Sequence, residues 1–215
     1  MIKLLPNSLI ILDLDDTLYS ERDFERSGFR AILDTLDVSH QVHIDELIEL
    51  SLQGQDIFAR LNFDENLRNV AMSIYRGHTP KISLYPDASM FIDQALANNC
   101  LLAIATEGRS VTQRNKIAAL GLVDKVAHIL ISEEVGVRKI EPSFFSDLMP
   151  LSEEHPCVMI GDNPVKDFVV PNAQKWQTYM LIDRGNNVHS QDVDVAEDHR
   201  AQHVVHSFNE FAFST

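Results

Sequence analysis

A chain of 215 residues with 45% hydrophobic content is long enough for one sizeable core plus a small accessory unit, and that apolar share excludes a disordered protein. A formal charge of −14 and a pI near 4.9 exclude a general binder of nucleic acid polymers, since a phosphate backbone calls for a basic face. No stretch approaches the roughly 20 apolar residues of a membrane span, and the N-terminal run is broken at Pro6 and meets Asp13 too soon for a secretory signal. Only Cys100 and Cys157 occur, each beside a predicted strand and neither in a metal-ligand cluster, so both read as reduced core thiols of a cytoplasmic protein.

The first predicted strand, Leu9 to Leu12, ends abruptly in Asp13, Asp15 and Asp16. Like charges this close oppose one another's ionisation, so a cation, a shared proton or open solvent must relieve them, and a divalent metal would serve. Alternation along an extended segment sends Asp13 and Asp15 the same way and Leu14 the other. From about Ser20 to Lys81 the pattern is helical, with four apolar faces: Phe24, Gly28, Ala31, Ile32 and Leu36; Ile44, Leu47 and Ile48; Ile57, Phe58 and Leu61; Leu67, Val70, Ala71 and Ile74. This is far more than one crossover helix and reads as an insertion.

Strands then recur at Leu101 to Ala105, His128 to Ile131, Cys157 to Ile160 and Thr178 to Ile182, with a short sixth at His203 to Val205. Between them Asp87 can cap a helix through Leu96, Ser110 one ending at Gly121, Pro142 suits the first turn of one through Leu148, and Val165 to Trp176 forms another around Pro171. The fold class is therefore α/β: a Rossmann-like parallel sheet flanked by helices, residues 1–18 and 83–215, with a small helical-bundle cap inserted at 19–82. Nothing in the pattern specifies an oligomeric state.

Ligands of an open parallel sheet bind beyond the carboxyl ends of its strands, so polar residues directly after those strands share a crevice. Asp13 and Asp15 follow the first strand, Thr106-Glu107-Gly108 the second, Lys139 lies beyond the third, and Gly161-Asp162-Asn163 with Asp167 follow the fourth. Working carboxylates, a hydroxyl on a glycine-bearing turn, a cation and a further carboxylate pair form the set needed to handle a phosphoryl group with a metal.

These residues resemble the haloacid dehalogenase superfamily. Asp13-Leu14-Asp15-Asp16-Thr17 matches its D-x-D-x-T motif, Thr106 its second, Lys139 its third, and Gly161-Asp162 through Asp167 its G-D-x-x-x-x-D fourth. Gly136 to Pro142 looks like the lysine-motif neighbourhood of the branch with a helical cap after the first motif, although Ile140 and Glu141 replace the usual proline and aspartate. Glu107 likewise replaces a commoner asparagine, and Asp16 a commoner glycine. The resemblance implies that Asp13 is the nucleophile forming an aspartyl-phosphate and Asp15 the general acid and base. It also implies Mg2+ held by Asp13, the Asp15 carbonyl and Asp162, with Asp167 as ligand or support. Thr106 and the N–H groups of Glu107 and Gly108 would hold phosphoryl oxygens, and Lys139 would neutralise them.

Within that superfamily the dehalogenases lack the second aspartate, present here as Asp15, and the phosphonate hydrolases use a cap lysine, whereas Lys81 at the exit is the only lysine of this insertion. The expected activity is thus magnesium-dependent hydrolysis of a small phosphomonoester, a nucleotide, sugar phosphate or similar phosphorylated metabolite, through an aspartyl-phosphate. A sugar phosphomutase of the same superfamily and a non-catalytic binding module are the alternatives. Tyr19, Glu21, Arg22 and Arg26, leading into the insertion, and Arg109, just past the second motif, are the first places to seek substrate contacts. His189, His199, His203 and His206 match no metal-ligand spacing and read as surface residues.

Overall fold

The computed structural model describes residues 1–39 and 42–214. Its strands are β1 (Ile2–Leu4), β2 (Leu9–Leu12), β3 (Leu101–Thr106), β4 (His128–Ile131), β5 (Cys157–Gly161), β6 (Gln177–Leu181), β7 (His203–Val205) and β8 (Phe211–Phe213). The α-helices are α1 (Glu21–Thr35), α2 (Ile44–Leu52), α3 (Ile57–Arg60), α4 (Glu65–Gly77), α5 (Pro86–Ala97), α6 (Ser110–Ala119), α7 (Ser132–Val135), α8 (Met149–Glu154) and α9 (Val169–Ala173), with a 3-10 helix at Pro142–Leu148.

Six strands form one parallel sheet in the order β4-β3-β2-β5-β6-β7. Their apolar runs suit a layer covered on both faces, and successive side chains alternate between two clusters. Ile10, Leu12, Leu102, Ile104, Val158 and Ile160 join the cluster beneath α5, while Leu9, Ile11, Ala103, Ala105 and Met159 join the one beneath Phe144, Phe145 and Trp176. Chain order reverses at β2, which pairs with β3 on one side and β5 on the other. The crevice beyond its carboxyl end is therefore the topological switch point of the sheet.

Helices α1 to α4 and their connections enclose an apolar cluster of their own, Phe29, Ile32, Leu33, Ile44, Leu47, Phe63 and Ala71 among them. Phe24 belongs instead to the sheet cluster, and Tyr75 touches both, so the helices are seated on the sheet through these rings. Polar contacts add to this: Thr112 Oγ1 on α6 donates to the Arg76 carbonyl at 3.0 Å, and Asn115 Nδ2 to those of Gly77 and His78 at 3.1 Å.

Several local expectations need correction. Val70 is 48% exposed and not on the packed face of α4. Asp87 lies inside the first turn of α5, whose N-cap is Tyr85, because its carboxylate is taken by Arg184 at 2.8 and 3.0 Å, Ser207 Oγ at 2.7 Å and the Phe208 N–H at 3.0 Å. Burial pushes this carboxyl up, but those partners hold it below its usual value. Ser110 is the first residue of α6 rather than its cap, and the helix ends at Ala119. Residues 163–168 form a turn instead of the start of a helix, Asn163 Oδ1 accepting the Val165 N–H at 3.0 Å, so α9 begins only at Val169. Not anticipated at all is the parallel pair β1–β8.

Candidate active site

Asp13 is the residue directly after β2, and its N–H donates to the Ile160 carbonyl at 2.9 Å, extending the ladder one step past the strand. Its Oδ1 accepts from Lys139 Nζ at 2.6 Å and its Oδ2 from Thr17 Oγ1 at 3.1 Å, which gives the motif threonine its function of aiming the carboxylate. Lys139, 1% exposed, also donates to Asp167 Oδ1 at 2.8 Å. Burial alone would depress this lysine, but Asp13 and Asp167 raise it above the ordinary ammonium range, so it is charged. Asp167 Oδ2 in turn accepts the Asn163 N–H at 2.9 Å.

Gly161 makes room for that arrangement. A Cβ there would lie 2.3 Å from Asp167 Oδ2, and Asp167 is pinned from both sides. Gly161→Ala is expected to lower stability by about 1–3 kcal/mol, the usual cost of forcing an extra carbon into packed surroundings. A urea titration matching wild type would show that Asp167 is free to move.

The carboxylate oxygens of Asp13, Asp162 and Asp167 come within 4.8 Å of one another, all three side chains buried. Burial and the mutual repulsion of the carboxylates push Asp13 up to about 7 and Asp162 up to about 9, with Lys139 opposing both shifts. The surrounding cavity, about 150 Å³, is lined by seven carboxyl groups, those of Asp13, Asp15, Asp16, Glu21, Glu107, Asp162 and Asp167, against two lysines, Lys139 and Lys166. Such a surplus of hard oxygen donors suits a magnesium ion, which would favour the ionised carboxylates. Beside Asp162, Asn187 Oδ1 is a buried acceptor with no partner among the described residues. A wider open depression of about 900 Å³ around Asn172, Glu197 and Arg200 gathers no comparable set.

Asp15 faces the same cavity, as strand alternation requires, but its carboxylate is not free. Tyr19 donates its hydroxyl to Oδ1, Lys116 Nζ reaches Oδ1 at 2.7 Å, and Gln113 Nε2 reaches Oδ2 at 2.9 Å. Burial works to raise this carboxyl, yet Lys116 and the other donors bring it below its ordinary value. Lys116 is 3% exposed and lies 4.2 Å from the centre of the Phe24 ring. Neither Lys116 nor Gln113 was singled out from the sequence; the signal was their i, i+3 spacing, which puts two long polar side chains on one face of α6.

The loop after β3 is only partly as expected. Thr106 Oγ1 lines the cavity and accepts Gln113 Nε2 at 2.6 Å. Gly108, in the left-handed range at φ 151°, donates its N–H to Ser132 Oγ at 2.9 Å, so that amide already has a partner. The Glu107 carboxylate accepts the Lys139 N–H at 2.9 Å and tethers the lysine loop.

Of the five residues first sought as substrate contacts, Glu21 lines this cavity and the other four do not. Tyr19 is fully buried on Asp15; Arg22 pairs with Glu25 at 2.6 Å; Arg26 pairs with Asp45 at 2.7 Å; Arg109 stands 3.6 Å from Glu133. Beside Glu21 stand Asn163, Lys166 and His189, the last an exposed residue as expected, at the rim of the cavity. Burial and the Asp15 charge push the Glu21 carboxyl up to about 8.

Residues 10–179 match the model of the haloacid dehalogenase-like hydrolases. The chain belongs to that family. Among curated relatives it is 34% identical to a phosphoserine phosphatase of Thermus thermophilus over 48% of this chain and 42% of that one, so it spans less than half of that relative's length. It is 27% identical to a glyceraldehyde 3-phosphate phosphatase of Methanopyrus kandleri over 74% of this chain and 76% of that one. Among solved structures, a magnesium-bound HAD-hydrolase YfnB from Bacillus subtilis superposes with a TM-score of 0.65 at 16% identity, covering 95% and 96% of the two chains. A 2-haloacid dehalogenase from Pseudomonas syringae superposes with a TM-score of 0.62 at 19% identity over 96% of each. Phosphatases and dehalogenases share this architecture, so the sheet and its helices are those of the family while the choice of reaction lies in the site.

Proposed function

We propose that this hydrolase releases inorganic phosphate from a small phosphomonoester with the help of magnesium, Asp13 serving as the nucleophile. One observation carries the reading: Asp13 sits at the switch point of the sheet, held by Lys139 and Thr17, with Asp162 and Asp167 beside it and a second carboxylate, Asp15, on the same cavity. Bound magnesium would offset charge on the phosphoryl group, held by Asp13, Asp162 and the Asp15 main chain, with Asp167 in support. An Asp13 oxygen bonds to phosphorus as the ester P–O bond breaks, and the departing oxygen takes a proton from Asp15. Water then attacks phosphorus, returns its proton to Asp15 and frees Asp13 and phosphate. Thr106 and Lys139 offer donors to the phosphoryl oxygens. The partnered, ionised Asp15 suits the second half, where it accepts a proton. For the first half the substrate complex must loosen the contact with Lys116.

Cavity size favours a short substrate, since about 150 Å³ is the room of about five water molecules. The named activities of the phosphatase relatives point the same way. The helices of residues 21–77 would act as a cap over the site, their seating through Phe24, Tyr75 and Lys116 placing Glu21 at its wall. The test is phosphate release from a panel of cellular phosphomonoesters, ranked by kcat/KM with magnesium and with a chelator. Three- and four-carbon esters should exceed nucleotides by at least about tenfold, and the chelator should abolish turnover. Release from no ester, a nucleotide in first place, or isomerised sugar phosphate in place of free phosphate would each overturn the reading.

A further inference from the structure

The segment after β6 carries no motif, yet its polar side chains converge on the site. Asp183 Oδ1 accepts the N–H groups of Gly185, Asn186 and Asn187 at 2.7, 3.0 and 3.1 Å, which curls the chain back toward β2. Gln191 closes the far side: its Oε1 accepts the Asp183 N–H at 2.8 Å, and its Nε2 donates to the carbonyls of Leu181 at 2.8 Å and Asp162 at 2.7 Å. From inside this loop Asn187 Nδ2 donates to Asp162 Oδ2 at 3.0 Å.

The loop is also moored to the nucleophile segment. Asp16, 3% exposed and in the left-handed region at φ 55°, accepts the Val188 N–H on Oδ2 at 2.6 Å and the Glu21 N–H on Oδ1 at 2.8 Å. A glycine there would satisfy the torsion without strain but leave both amides without this acceptor.

We infer that residues 183–191 form a clamp whose Asn187 and Gln191 are positioning residues for the metal carboxylate Asp162. The inference rests on the magnesium reading above. Asn187 fixes which way the carboxylate turns, and Gln191 fixes the main chain that bears it; partners of this kind orient ligands they do not replace.

The experiment is calorimetric titration of Mg2+ into the full chain and into Asn187→Ala and Gln191→Ala, with circular dichroism melts of each without metal. Both variants should bind magnesium about 10- to 100-fold more weakly, and their turnover should recover as magnesium is raised. Recovery separates positioning from direct chemistry, because a lost reacting group is not restored by metal. A folded variant with the wild-type Kd overturns the clamp. Failure of wild type to bind magnesium overturns the metal reading and the clamp with it, so the two failures are distinct.

Discussion

Asp13→Asn should abolish phosphate release, lowering kcat by at least about 10⁴-fold, in line with the loss of a nucleophile elsewhere. The amide keeps nearly the same shape and an oxygen that can still accept from Thr17 or Lys139, and Lys139 retains Asp167 as an ionic partner at 2.8 Å. Loss of activity therefore should not come with loss of fold. The substitution also removes one charge from a crowded trio, so the metal-free melting temperature should hold or rise. Continuous assay of released phosphate at saturating magnesium and substrate is the measurement. Retention of more than about a tenth of wild-type kcat would exclude covalent transfer to this residue, since an amide cannot take the nucleophile's place.

Lys139→Ala should have the largest effect on stability. One ammonium, 1% exposed, lies between Asp13 and Asp167 with Asp162 close by, and the substitution leaves those carboxylates without it. Removing one member of a buried ion pair costs about 3–5 kcal/mol, because the remaining charge stays desolvated. For a chain of this size that is a fall in melting temperature of about 10 °C. Adding Mg2+ should recover part of the loss, since the divalent ion supplies compensating charge to the same oxygens. Turnover should not recover with it, because the phosphoryl oxygens lose a donor and Asp13 its orientation. Unfolding curves in urea, with and without magnesium, measure both parts. Equal stability of variant and wild type would mean that the carboxylates already carry protons and need no ammonium.

The residues readable in advance were those whose position relative to a strand fixes their place in space. Asp13, Thr106 and Asp162 stand at or directly after a strand end, and a parallel sheet leaves such residues one crevice to share. Lys139 lies on a loop several residues beyond β4, so its position after that strand placed it only coarsely, and the motif resemblance supplied its role. Lys116 and Gln113 escaped notice because polar residues within a helix ordinarily face water, and only the packing of Phe24 against α6 shows that this face is covered. The 183–191 loop has no periodicity at all; its contacts with Asp16 and Asp162 link positions far apart in the chain. Asp87 was mistaken for a cap because an aspartate near a helix start fits that role locally, while its true partner, Arg184, follows β6. The short β1 and β8 were invisible for a related reason: Ile2-Lys3-Leu4 and Phe211-Ala212-Phe213 are three-residue segments whose sequences say nothing about pairing with one another.

That terminal ribbon has a practical side. Ile2 stands opposite Phe211 and Leu4 opposite Phe213, and the turn that follows β1 touches Asn98 and His155 at the amino edges of β3 and β5. Leu4, Phe213 and Ser214, whose N–H donates to the Leu4 carbonyl at 2.9 Å, thus lie toward the amino rim of the sheet, away from the acidic crevice. A fluorophore carried at Ser214 would therefore report fraying of the ribbon separately from events at the mouth of the crevice.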